Sequence, residues 1–87
     1  MSDDISPITG GQMRAARAFL RWRAEDLAKA AKVGVATVRR AEMEDGVPNM
    51  LANNMIAIRR ALERAGIQFI DDGPKGVRIL DPSEKQK

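Results

Sequence analysis

Residues 24–43 read AEDLAKAAKVGVATVRRAEM, and the spacing within that stretch decides the fold. Leu27, Ala28 and Ala31 stand at i, i+1 and i+4, and beyond Lys32-Val33-Gly34 the apolar stripe resumes at Val38 and Ala41. Both runs keep helical spacing. They predict two short helices, over about 24–31 and 35–43, joined by a tight turn at Gly34 and lined with small side chains where they cross. Ala28 carries most of that argument, because a bulky side chain at the crossing would hold the helices apart. The second helix then turns Val35, Ala36, Arg39 and Arg40 outward beside Gly34. Such a face is slim enough for a DNA major groove and ends in two guanidinium groups.

Charge along the chain agrees with that reading. The net charge is +3 over 87 residues, but residues 1–8 carry −2, residues 9–65 carry +5 and residues 66–87 balance at zero. The helical part is therefore the basic part, as expected of a surface that meets phosphate. At 44% hydrophobic and 31% charged the composition is that of one small globular domain with little interior to spare. Cysteine and histidine are both absent, which removes disulfides, thiolate ligands and the commonest general base. No cofactor, metal site or catalytic residue is expected. Ser2, Ser6 and Ser83 have no histidine partner, Asp71-Asp72 reads as a turn, and Gly10-Gly11 lacks the spacing of a phosphate loop. With no signal peptide and no apolar run of membrane-spanning length, a cytoplasmic protein is expected.

Around the central pair, residues 1–8 are polar and aperiodic and predict a flexible arm. Thr9 can cap a first helix running to about 21, with Met13, Ala16 and Leu20 on its buried side. Glu44 to Asn49 is a turn-rich connection, followed by a helix over about 51–65 whose core face is Met55, Ile58, Ala61 and Leu62. Gly66 then stops the helix. The β-branched runs 67–70 and 76–80 flank a five-residue loop and predict a β-hairpin; residues 81–87 form a polar tail. The expected architecture is mainly α, four helices over 9–66 followed by the hairpin.

The chain resembles the lambda-repressor-like (XRE-type) helix-turn-helix family. The resemblance rests on Arg17, on Glu-Asp-Leu-Ala at 25–28, on Thr-Val-x-Arg at 37–40 and on Glu42. The segments ALERAGIQFI (61–70) and GVRI (76–79) are similar to a short bacterial subgroup of transcriptional regulators. It implies a four-helix DNA-binding domain in which Gly34, Val35, Ala36, Thr37, Arg39 and Arg40 face double-stranded DNA. Arg40 is placed to read a base, by bidentate pairing with guanine, and Arg39 to hold a phosphate. Val35 and Ala36 can touch thymine methyls only, so DNA shape would carry part of the specificity. Arg17 and Glu42 are implied to form an ion pair fastening the recognition helix. Two positions depart from the pattern: Ala24 stands where many members have a phosphate-gripping Gln, leaving only backbone N–H groups for that contact, and Lys32 stands where many have Gly. Glu44 and Asp45 are expected to turn away from phosphate.

The function this implies is a sequence-specific transcriptional regulator, a repressor by type, bound as a homodimer to a palindromic operator. Ile67, Phe69, Ile70, Val77, Ile79 and Leu80 exceed what a lone ribbon buries, so the hairpin is expected to make the dimer. The alternative is that it folds back onto the first and fourth helices. Two other functions stay open: the antitoxin or phage-type repressor of a two-gene module, which also binds a protein partner, and an interaction adaptor that does not bind DNA.

Overall fold

The computed structural model describes residues 6–70 and 73–79, the side chain of Ile79 excepted. Four helices, α1 (Gly10–Leu20), α2 (Ala24–Ala31), α3 (Val35–Glu42) and α4 (Ala52–Arg64), precede two strands, β1 (Ile67–Ile70) and β2 (Gly76–Ile79). The strands form an antiparallel hairpin in which Ile67 faces Ile79 and Phe69 faces Val77. The mainly α architecture with a C-terminal hairpin is as the sequence predicts, each helix within two residues of its expected ends.

Local chemistry explains each boundary. Thr9 and Gln12 cap α1 reciprocally: the Gln12 N–H donates to Thr9 Oγ1 at 2.9 Å and the Thr9 N–H to Gln12 Oε1 at 2.9 Å, satisfying two backbone donors that the first turn leaves free. Arg21 and Lys32 end α1 and α2 in the left-handed region, at φ 57° and 60°. Gly66, at φ 109°, turns the chain from α4 into β1.

The core is closed by the stripes read from the sequence. Met13, Ala16, Leu27, Val38, Ile58 and Leu62 are fully or almost fully buried, with Ala28, Ala41, Met55 and Ala61 beside them. Ile8 corrects the expected arm: it is 0% exposed, and its N–H points at Met55 Sδ at 3.4 Å. A β-branched side chain next to the α1 cap has more apolar surface to hide than a solvated arm allows. Nearby, Arg59 donates to the Ser6 carbonyl at 2.8 Å and to Glu63 Oε2 at 2.9 Å. Its guanidinium lies 5.1 Å from the Phe69 ring centroid, so α4 ties down both the start of the chain and the hairpin.

The hairpin folds back onto its own helices, the alternative left open by the sequence. Ile67 and Phe69 belong to the central core at 2% and 8% exposure, and Val77 packs against it half-buried. The Gln12 amide donates to the Gly76 carbonyl at 2.9 Å, holding β2 to α1. Three of the six side chains expected at a dimer interface are therefore occupied within the chain, because the short helices alone cannot enclose the core. Ile70 is exposed; Leu80, the Ile79 side chain and residues 1–5, 71–72 and 81–87 lie outside the described residues.

Candidate nucleic-acid interface

The three-residue turn Lys32-Val33-Gly34 sets α3 against α2. The Val33 N–H reaches back to the Ala28 carbonyl at 3.0 Å, and Val33 packs against the core. Ala28 on α2 and Val38 on α3 are both buried in the one core. Gly34 is the N-cap of α3, in extended conformation, and supplies no side-chain hydrogen bond.

The far end of α3 is fixed to α1 by two arginines. Arg17 grips Glu42 bidentately, Nε to Oε2 at 2.7 Å and Nη2 to Oε1 at 2.6 Å, and its Nη1 donates to the Trp22 carbonyl at 2.9 Å. Glu42 is 8% exposed as a side chain and Arg17 22%. The Glu42 hydrogen bond and charge hold the Arg17 guanidinium above its ordinary pKa, against the opposing effect of burial. One turn earlier on α1, Arg14 donates to the Glu42 carbonyl and binds Asp45 Oδ1 at 2.6 Å. A cation on the last carbonyls of a helix is favourably placed against its dipole.

Gly10 makes that junction sterically feasible. A Cβ there would stand 1.9 Å from the Glu44 carbonyl oxygen and 2.6 Å from that of Ala41. The Gly10 N–H donates to the Gly46 carbonyl at 2.9 Å. The start of α1 therefore abuts the end of α3, backbone against backbone.

What α3 leaves outside is Ala36, Arg39 and Arg40, all exposed, with Val35 and Thr37 half-buried at its start. Val35 is partly committed to the core, so its alkyl group is less available than the sequence suggests. Arg39 is tied to Glu25 Oε2 at 2.5 Å, both side chains about half exposed. Arg40 lines a groove with Thr37 and Glu44 on one wall and Asn49 and Asn54 on the other. Glu44 thus shares the groove with Arg40, where the sequence reading has it turned away, because the turn after α3 begins at once. Asp45 does turn away, to Arg14.

Ala24, expected to offer only its backbone, is half-buried against the core. The start of α2 is already occupied by its own carboxylates. Asp26 Oδ2 accepts from the Arg23 N–H at 2.8 Å; that bond and the Arg23 guanidinium hold its carboxyl below the usual range. Glu25 is likewise lowered, first by a hydrogen bond from its own backbone N–H and further by Arg39. An incoming phosphate would have to displace these groups.

Sequence reasoning missed Gly10, Arg14, Asn49 and Asn54. The asparagines carried a usable signal, since Asn49 and Asn54 bracket the start of α4 five residues apart. Gly10 and Arg14 carried none, because their role depends on residues about thirty positions away. Among the described residues there is no cluster of acidic, histidine or cysteine side chains able to hold a metal ion, and no helix long and apolar enough to cross a membrane. No protein-family model matches the chain, and no curated protein matches it.

Proposed function

We propose that the protein is a sequence-specific DNA-binding transcriptional regulator, with α2 and α3 as the helix-turn-helix of a lambda-repressor-like domain and α3 as its recognition helix. The observation that carries the reading is the mounting of α3. Its C-terminal end is clamped to α1 by the Arg17–Glu42 pair and by Arg14, while Ala36, Arg39 and Arg40 stand free of the core. A helix held rigidly with an exposed basic face suits a groove, since positional precision is what base readout requires. Arg40 is the base reader, and Asn49 and Asn54 in the same groove add amides of the kind that pair with adenine. Arg39 exchanges Glu25 for a phosphate on binding.

The regulator acts as a homodimer, because one recognition helix serves one half-site and two must lie about 34 Å apart. The remaining hairpin surface around exposed Ile70 is the contact; the buried residues Ile67 and Phe69 are not. Repression by occupancy of a palindromic operator is the simplest output of such a dimer.

Titration of a random-sequence duplex over a range of salt concentrations tests the reading. Binding should weaken steeply as salt rises, with a slope of about 0.9 per phosphate contacted. Arg39→Ala should lower that slope by about one phosphate contact. Absence of salt-dependent binding would refute the proposal.

A further inference from the structure

A second groove lies between the end of α2 and α4. Ala30, Ala31, Ile56 and Ala57 form its apolar floor, and Lys32, Arg60 and Arg64 stand around it. All three cations are exposed, no carboxylate lines the groove, and none of the three takes part in an ion pair among the described residues. Arg64 makes only a 3.5 Å contact to the Ala30 carbonyl. Arg14, Arg17, Arg23, Arg39 and Arg59 each have an acid within 3.3 Å, whereas these three cations share one groove with no carboxylate, an unneutralised concentration of positive charge.

Lys32 adds a second observation. It holds φ 60°, ψ 43° at the end of α2, a conformation that glycine adopts without steric cost and lysine does not. Arg21 ends α1 in the same conformation, so the backbone marks a helix end; the side chain is what distinguishes Lys32. Here it places an ammonium group at the rim of the groove.

We infer that this groove docks an acidic amphipathic helix of a partner protein. The helix lays its apolar face on Ile56, Ala57 and Ala30 and sets its carboxylates against Lys32, Arg60 and Arg64, the common mode of helix-in-groove recognition. The apolar floor favours a peptide over nucleic acid, because alkyl groups offer a phosphate backbone nothing and would strip it of water. No residue of α3 lines the groove, so the acidic helix and DNA do not compete for the same side chains. The inference goes beyond the DNA-binding reading and stands without it.

Fluorescence anisotropy on the full chain tests it, with a labelled helical peptide of about 15 residues carrying leucines on one face flanked by glutamates. A second peptide has lysine at every glutamate position, and a random duplex is titrated in parallel. The acidic peptide should bind and the lysine peptide should not. Arg60→Gln with Arg64→Gln should weaken peptide binding about five- to tenfold and leave the salt slope for duplex unchanged. Lys32→Gly should weaken peptide binding about twofold while raising the melting temperature, and Arg40→Ala should not affect the peptide. Failure of the acidic peptide to bind, equal binding of the lysine peptide, or indifference to the double substitution would overturn the inference. A duplex salt slope lowered by about 2 in the double variant would also overturn it, by assigning these arginines to phosphate.

Discussion

Lys32 and Asp26 show how single residues set the two ends of α2. Lys32 adopts a left-handed backbone, φ 60°, that costs an L-residue about 1 kcal/mol. Lys32→Gly should therefore stabilise the fold by up to about 0.5 kcal/mol net of glycine's greater chain entropy, visible as a higher midpoint in thermal or urea unfolding. A lowered midpoint would contradict the assigned conformation. At the other end, the Arg23 N–H and guanidinium hold the Asp26 carboxyl below its ordinary pKa. A carboxyl depressed in the folded state contributes stability above its unfolded pKa, about 3.9 for Asp, and loses it as pH falls through the folded value. Titration followed by carboxyl chemical shift should place Asp26 below an unstructured aspartate, and Arg23→Ala should bring it closer to the ordinary value. The Lys32 strain was legible in the sequence as a departure from glycine. The Asp26 cap lies within the Glu-Asp-Leu-Ala segment at 25–28, on which the resemblance rests without assigning Asp26 a role.

At the scale of elements, the helices were readable because each buries one stripe at helical spacing, and Met13, Leu27, Val38, Ile58 and Leu62 all reach the core. The Arg17–Glu42 pair followed from resemblance and is present at 2.6 Å. What spacing could not supply is the docking of one element on another. Gly10 is the clearest case. Its sequence neighbourhood says only that glycine weakens a helix, whereas its position against the Ala41 and Glu44 carbonyls requires the absence of a Cβ. Gly10→Ala should cost at least about 3 kcal/mol, beyond ordinary overpacking because the obstruction is backbone. Chemical unfolding measures it; an alanine variant as stable as the parent would show that α1 and α3 do not meet there. Ile8 was misread for a related reason, since a single apolar residue before a cap has no periodicity to reveal its side.

For the whole molecule, the hairpin decides how the core is closed. Its hydrophobic excess was legible, but a strand pattern does not say whether the apolar side covers the same chain or another. The helices leave part of the core open, and Ile67 and Phe69 close it. Phe69→Ala should consequently cost about 3–5 kcal/mol, as for a buried phenylalanine, whereas Ile70→Glu should leave the melting temperature near that of the parent and shift sedimentation from dimer to monomer. A dimer unaffected by Ile70→Glu would move the interface elsewhere. The most direct test of α3 as the reading element is selection of bound duplexes from a random pool, run in parallel with the parent protein and Arg40→Ala. The account predicts a two-fold-symmetric consensus for the parent. It also predicts that the variant loses preference at one base position in each half-site, at about 1–3 kcal/mol on the best site. An unenriched pool, or an identical consensus at equal affinity from both proteins, would contradict it.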